Sequence, residues 1–142
     1  MNTKDFSYQF TSSKSAHEIF PVLLDVYQWW NGLSDEEIRG ESHKVGDIFT
    51  FTAGNGVHFS EQKLIEIQPD KKIVWSIIRS NLSFLKQPNE WEETAFEFQL
   101  KENDNVTNVT FTHCGLFPEN ECYDSCSNGW TQYLMKLEKS LK

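Results

Sequence analysis

Three cysteines and one histidine near the C-terminal end are the residues best suited to metal binding or nucleophilic chemistry. His113 and Cys114 precede Cys122 and Cys126 with the spacing His-Cys-x7-Cys-x3-Cys, which matches no common zinc-ligand pattern. Cys114 has no helix N-terminus directly after it to lower the pKa of its thiol. If Cys122 and Cys126 share a helix face, their Cβ atoms stand about 5–6 Å apart, where a disulfide needs about 3.8 Å. We therefore predict packing thiols, with no bound metal and no cofactor.

General acid–base chemistry would fall to His58, Glu61 or Glu93, all on predicted strands. Such groups catalyse reactions only when they face an enclosed site, and on strands they more often face solvent. We therefore assign no catalytic residue. The acidic run Asp35-Glu36-Glu37 is interpreted as the solvated end of a helix or loop.

The composition limits the class of partner. The chain has 142 residues and a net charge of −8, with no basic run, so phosphate groups would be repelled and a nucleic-acid partner is excluded. It contains 11 Phe, 5 Trp and 4 Tyr, so the interior is either very bulky or shaped around a bound molecule.

Nothing in the sequence predicts export or membrane insertion. The opening Met-Asn-Thr-Lys-Asp has no apolar segment typical of a signal peptide, and no run of about 20 apolar residues follows. The odd number of cysteines favours reduced thiols. We expect a cytoplasmic protein without a membrane span.

The N-terminal part predicts one strand and two short helices. Phe6, Tyr8 and Phe10 alternate with polar residues, which is typical of a half-buried strand. Ser15 and Glu18 have capping-box spacing, so a helix should begin there. Pro21 lies too deep for a first-turn proline, so we expect a kink or a short first piece, with a second short helix from Asp25 to Asn31.

After Gly46 the apolar residues recur with a period of two, which predicts antiparallel strands joined by short turns. The third strand of this run, Ile73–Arg79, is apolar on both faces and should be central. The loop from Ser80 to Glu90 carries Leu82, Phe84 and Leu85, so it either packs over the core edge, covers a pocket or contacts another chain. The other predicted strands are Phe49–Ala53, Val57–Ile67, Trp91–Leu100 and Val106–His113.

The last segment, Pro118–Lys142, predicts a long amphipathic helix. Acidic residues fall in its first turns and lysines in its last, which complements the helix dipole. Gly129 lies in the middle, where glycine costs about 1 kcal/mol relative to alanine, so a close neighbour or an open space must explain it. The apolar stripe consists of Cys122, Cys126, Trp130, Tyr133, Leu134, Leu137 and Leu141.

An antiparallel sheet with one buried face needs an apolar partner, and this helix is the only long element available. The predicted fold is therefore α+β: one domain over residues 1–142, in which a curved antiparallel sheet wraps around a C-terminal helix, with two short helices after the first strand.

Three segments carry a family likeness. They are the Trp29-Trp30 pair, the stretch from Glu66 to Trp75, and Thr112-His113-Cys114-Gly115-Leu116 followed by Gly129-Trp130. In order and spacing they resemble the START-like superfamily, also called polyketide cyclase-like or helix-grip (SRPBCC) proteins, and most of all the branch named for the activator of the heat-shock protein 90 ATPase.

The resemblance implies an apolar cavity between sheet and helix that holds a lipid-like, hydrophobic or amphipathic small molecule. Two alternatives stay open: a stress-related interaction protein that regulates a chaperone ATPase or self-associates, and a cyclase- or hydrolase-type enzyme. His58, if it faces inward, and Tyr133 could orient the ligand. The residues expected to line the cavity are Phe49, Phe51, Phe59, Trp75, Phe96, Phe98, Phe111, Cys126, Trp130 and Tyr133.

Overall fold

A computed structural model describes residues 5–33, 35–54 and 56–142. Within them the chain forms seven strands and three helices. In chain order these are β1 (Phe6–Ser12), α1 (Ala16–Leu24), α2 (Val26–Trp29), β2 (Glu37–Gly40), β3 (Ile48–Ala53), β4 (His58–Gln68), β5 (Lys72–Leu82), β6 (Ala95–Asn103), β7 (Val106–Cys114) and α3 (Tyr123–Ser140).

The seven strands form one antiparallel sheet in the order β1-β7-β6-β5-β4-β3-β2. β5 is the middle strand, as its two apolar faces predict. The apolar side of α3 packs on the concave face of the sheet, where the core lies. The predicted α+β architecture, a sheet around a C-terminal helix with two short helices after the first strand, is confirmed.

Two register shifts bend the longest strand pair, β4 and β5. They fall between Glu61 and Gln62 and between Leu64 and Glu66. A bulge increases local twist and changes which residues face inward. On β5, Ile73, Trp75 and Ile77 are buried before the shift, whereas Ser80 and Leu82 are buried beyond it, so the inward-facing positions move by one residue at Ile78.

The capping box at the start of α1 is present as predicted. The Ser15 hydroxyl accepts the Glu18 backbone N–H, and the Glu18 carboxylate accepts the Ser15 backbone N–H. Pro21 lies inside α1 and does not end it. The two helices separate at Asp25, whose carboxylate accepts the Tyr27 N–H and so caps α2.

The predicted apolar stripe of α3 is buried from Cys122 to Leu141, but the helix begins at Tyr123 rather than Pro118. The preceding residues form a turn in which the Phe117 N–H donates to the Asn120 side chain at 2.5 Å. Because Asn120 occupies this turn, the helix is delayed.

Among the strands, three differ most from prediction. Glu37, expected in a solvated run, begins the edge strand β2, which pairs with β3. β5 continues to Leu82, three residues into the predicted loop. β6 begins at Ala95, because Trp91 lies in a turn closed by the bond from the Thr94 N–H to its carbonyl at 3.1 Å. The predicted Gly54-Asn55-Gly56 turn includes Asn55, which lies outside the described residues.

No described helix is long and apolar enough to span a lipid bilayer.

Candidate functional site

A cavity of about 140 Å³ lies between α3, the β3–β4 hairpin and the loop that connects β5 to β6. Its walls are mainly aromatic, and two of its lining residues, Phe84 and Ser125, are exposed, so it opens to solvent beside them. The lining residues are Trp30, Phe51, Ala53, His58, Phe84, Trp91, Ser125, Cys126, Gly129, Trp130 and Tyr133.

Four residues predicted to bind ligand line this cavity: Phe51, Cys126, Trp130 and Tyr133. The other predicted residues do not. Five of them are buried in the core beside it, where Phe49 contacts the Trp30 ring and the other four contact one another: Phe49, Trp75, Phe96, Phe98 and Phe111.

Phe59 lies apart from this group. It is only partly buried and is absent from the cavity lining, and the Arg79 guanidinium lies 5.9 Å from the centre of its ring. Its neighbour His58 faces the cavity instead, because successive side chains of a strand point to opposite faces. Which residues bind a ligand stays a prediction.

Gly129 borders the cavity from α3. A Cβ atom built on it would meet no atom within 4 Å. The close neighbour expected to require this glycine is therefore absent among the described residues, and that prediction is wrong, whereas the open space that a pocket would provide is present.

Trp91 was not predicted to line the site. The residues around it have the pattern of a strand, but the chain forms a turn at Trp91. This turn directs the indole into the core, where the residue is 3% exposed. The Trp91 and Trp130 rings lie nearly parallel, with centroids 5.7 Å apart and planes 5° apart. The only signal in the sequence for this role of Trp91 was a tryptophan that stands among acidic residues.

Two residues that line the cavity, His58 and Trp91, each have a buried nitrogen without a hydrogen-bond partner among the described residues. In His58 this atom is Nε2, which has almost no accessible surface. Burial lowers the pKa of His58 to about 4, so the imidazole is neutral at pH 7. The Trp91 N–H lies near the Cys122 thiol, a weak acceptor.

The polar character of β4 continues inward from His58. Ser60 and Gln62 follow at every second residue, both fully buried. The Gln62 amide nitrogen donates to the Ser60 hydroxyl, whereas the Gln62 Oε1 is buried without a partner among the described residues. An internal row of polar groups therefore begins at the cavity.

A fully buried histidine on β7 holds the cavity tryptophan of α3. The Trp130 Nε1–H donates to His113 Nδ1 at 3.0 Å, and His113 Nε2 lies 2.9 Å from the Thr94 hydroxyl. Because that hydroxyl donates to the Trp91 carbonyl at 2.5 Å, it accepts from Nε2–H. Burial, together with His58, lowers the pKa of His113 to about 3.

Tyr133 is anchored at the rim. Its hydroxyl donates to the Glu36 carboxylate at 2.5 Å. The same carboxylate also accepts the Gly32 and Leu33 N–H groups. Burial, and then Glu36, raises the pKa of Tyr133. At Glu36 burial acts to raise the pKa, but the hydrogen bonds from Tyr133 and the backbone outweigh it and lower the pKa.

Two carboxylates fasten the β5–β6 loop to the start of α3. Glu90 accepts the N–H groups of Glu121 and Cys122, each at 3.0 Å. In return the Glu121 carboxylate accepts the Lys86 N–H at 3.0 and 3.1 Å. The loop that carries Phe84 and Trp91 is thus tied to the helix that forms the opposite wall. We call Lys86, Glu90, Glu121 and Cys122 the carboxylate clasp.

Apart from Cys126, which lines the cavity, the remaining reactive groups do not converge on it. Glu61 pairs with Arg79 at 2.7 Å, and Glu93 is exposed. The thiols are free, burial raises the pKa of Cys114, and a hydrogen bond with Cys126, followed by burial, raises the pKa of Cys122. Among the described residues no three His, Cys, Asp or Glu side chains are grouped to hold a metal ion.

A curved antiparallel sheet closed over a C-terminal helix, with two short helices after the first strand, defines a START-like helix-grip protein. A family model described as "Activator of Hsp90 ATPase homolog 1-like protein" matches residues 15–142, and the chain belongs to this family. The resemblance read from the sequence is thereby confirmed. No curated protein matches the sequence at a significant level.

Solved structures share the fold at low sequence identity. The Aha1 dimer from Colwellia psychrerythraea is 23% identical with a TM-score of 0.74, over 97% of this chain and 96% of that one. Protein MLL2253 from Mesorhizobium loti is 18% identical with a TM-score of 0.73, over 96% and 95%. Protein Mll3558 from Rhizobium loti is 21% identical with a TM-score of 0.70, over 99% and 98%.

Proposed function

We propose that this protein is a binding module that holds a small hydrophobic or amphipathic molecule in the cavity between the sheet and α3. The observation that carries the proposal is the open space opposite Gly129, walled mainly by aromatic rings. Apolar walls with a few polar groups are typical of small-molecule sites.

The volume limits the ligand. Sites for drug-sized molecules enclose about 300–1,000 Å³, whereas this cavity encloses about 140 Å³. A lipid-like molecule would therefore insert only one end, or the Phe84 loop would have to move. A molecule the size of one aromatic ring fits as the cavity stands.

The test compares a variant that fills the cavity with a matched surface variant. Gly129→Met places an unbranched side chain in the open space, and Asn128→Met places the same side chain at an exposed helix position. Thermal-shift measurements with small aromatic and lipid-like compounds, with native mass spectrometry of the purified protein, would detect binding. A ligand at one hundred times its Kd should raise stability by about 2.7 kcal/mol.

The expected result is stabilisation of the unaltered protein and of Asn128→Met, but not of Gly129→Met. The proposal would be abandoned if no compound stabilised the protein, or if Gly129→Met bound as tightly as the other two.

Family membership supports a second candidate function, a stress-related interaction protein that regulates a chaperone ATPase. A direct assay of heat-shock protein 90 ATPase turnover with and without this protein would test it; unchanged turnover would remove the idea. Self-association is also proposed, since the relative from Colwellia psychrerythraea is described as a dimer. Sedimentation equilibrium would measure it.

We place the protein in the cytoplasm as a further part of this proposal. The free thiols of Cys114, Cys122 and Cys126 support this location, since reducing compartments keep cysteines unpaired. Cell fractionation would test it.

A further inference from the structure

We propose that the free edge of β1 is a self-association surface, on which β1 of a second copy of this chain pairs antiparallel about Gln9 and joins the two sheets into one. The inference rests on the self-association proposed above, because it names the surface where two copies would meet.

The two edges of the sheet differ in how they are protected. At one edge, β2 has only four residues, and the Arg39 guanidinium lies 2.9 Å from the Glu37 carboxylate. Short length and charged side chains are common means by which an edge strand avoids pairing with another chain. The β2 edge is therefore blocked.

At the other edge, β1 lacks these protections. Its seven residues, Phe6–Ser12, include no charged residue, no proline and no glycine. It pairs with β7 over its whole length without a register shift, so no bulge twists the edge away. No described strand lies on its other side. The backbone N–H and C=O groups on that side are thus free to bond to another extended strand.

The charge of the chain favours this edge as the meeting point of two copies. Each copy has a net charge of −8, so two copies repel each other unless they meet at a neutral surface. The exposed side chains of β1 and their partners on β7 are all uncharged: Ser7, Gln9 and Thr11 on β1, with Thr112, Thr110 and Asn108 on β7. The outer face of the sheet is therefore neutral along this edge.

The ends of β1 favour the antiparallel direction. Asp5 directly precedes the strand, and its carboxylate accepts the Gly115 N–H at 3.0 Å, which fixes its position. Lys14 lies two residues beyond the other end. Antiparallel pairing brings each Asp5 towards the Lys14 of the other copy, whereas parallel pairing would bring like charges together.

The register follows from the two faces of the strand. Gln9 is the middle residue of β1, so pairing about Gln9 uses all seven residues and places Tyr8 opposite Phe10 of the other copy. A slip by one residue would set inward side chains against outward ones. Tyr8 is only partly buried in a single copy, so its ring has surface left to pack against the second strand.

The size of the contact sets its strength. It involves seven residues of each copy, whereas stable interfaces use about 20–30 residues a side. We therefore expect a dimer that dissociates on dilution.

The first test is sedimentation equilibrium over a wide range of protein concentration. Gln9→Lys sets two lysines side by side on the two-fold axis, and like charges directly opposite each other weaken strand pairing. Gln99→Lys makes the same change at an exposed position of β6, two strands away from the edge. We expect the dimer Kd to rise about two- to fivefold in Gln9→Lys and to stay unchanged in Gln99→Lys.

The second test is disulfide cross-linking under mild oxidation. In the proposed register Gln9 lies opposite Gln9 of the other copy, with Cβ atoms about 4.5–5.5 Å apart, so Gln9→Cys should form a covalent dimer. Thr11→Cys is the matched control, because its two copies would be four residues apart along the strands, roughly 13 Å. The unaltered protein shows how much cross-linking its own three cysteines give.

The outcomes separate the surface from self-association itself. A protein that stays monomeric at every concentration would overturn both. If the protein dimerises but Gln9→Lys and Gln99→Lys have the same Kd, or if Gln9→Cys cross-links no faster than Thr11→Cys, another surface joins the copies. The inference then fails, while self-association survives.

Discussion

The indole nitrogen of Trp130 on α3 lies 3.0 Å from Nδ1 of His113 on β7, and both side chains are buried. This bond joins the helix to the sheet behind the cavity. It fixes the orientation of a tryptophan that forms part of the cavity wall, so the position of that wall depends on a histidine that does not touch the cavity.

Replacing His113 with leucine should lower the free energy of unfolding by about 2–4 kcal/mol. The change leaves the Trp130 N–H without its acceptor and the Thr94 hydroxyl without its donor, and each unsatisfied buried group costs about 1–3 kcal/mol. Urea denaturation measures the loss. In a double-mutant cycle Trp130→Phe should cost less in His113→Leu than in the unaltered protein; additive costs would show that the bond contributes nothing.

Stability should fall as the pH is lowered below about 6.5. His58 and His113 have pKa values of about 4 and about 3 in the folded protein, below the value of an unfolded histidine. Between the folded and the unfolded pKa of each histidine, the unfolded chain binds more protons than the folded chain. The free energy of unfolding therefore rises with pH in this range, by at most about 1.4 kcal/mol per pH unit for each histidine.

Urea midpoints at pH 7.5, 6.5, 5.5 and 4.5 would measure this slope. In His58→Gln the slope should be about half as steep, whereas His43→Gln should leave it unchanged. A flat profile between pH 6.5 and 4.5 would contradict the burial of two neutral histidines. Below about pH 4.5 stability should fall further, because the pKa of Glu36 is lowered in the folded state.

Gly129→Ala should stabilise the protein by up to about 1 kcal/mol and weaken ligand binding. Alanine favours the helix over glycine by about this amount, and its Cβ meets nothing within 4 Å but occupies cavity space. Thermal unfolding with and without ligand measures both effects.

Gly115→Ala is the matched contrast. Gly115 has φ +102°, and a Cβ there would lie 2.7 Å from the Thr94 methyl carbon, so this variant should be destabilised. Equal effects of the two substitutions would refute the assignment of open space at Gly129.

Removing the Glu90 carboxylate should loosen the loop over the cavity. Glu90→Ala leaves two N–H groups at the start of α3 without acceptors, so we expect a loss of about 1–2 kcal/mol. Hydrogen exchange at Glu121 and Cys122 should accelerate. Glu119→Ala, at an exposed position in the adjoining turn, is the control and should change neither quantity.

The strand and helix pattern was predictable because most buried residues follow a simple period. The stripe of α3 and the central place of β5 follow directly from apolar spacing. The inward face of β4 was not predictable. His58 and Phe59 are adjacent, and only the pairing of the strand decides which one faces the cavity.

Long-range contacts determine the rest of the site. Trp91 has the local pattern of a strand residue, but the Glu93 N–H bonds to the Ile77 carbonyl at 3.1 Å and holds the segment in a turn. Glu36 belongs to an acidic run that predicts solvation, yet Tyr133, far along the chain, donates to it. Neither contact can be predicted from local sequence, because each depends on the position of a distant element. That element is β5 for the turn at Trp91 and α3 for Glu36.

The carboxylate clasp also bears on how the protein is made. Its helix half, Glu121 and Cys122, is synthesised after every strand of the sheet, and the rest of α3 follows. At ribosomal rates of about 5–20 residues per second, the segment that follows β7 takes roughly one to five seconds to synthesise. A chain that lacks α3 leaves the aromatic face of the sheet uncovered, and such chains should bind chaperones or aggregate.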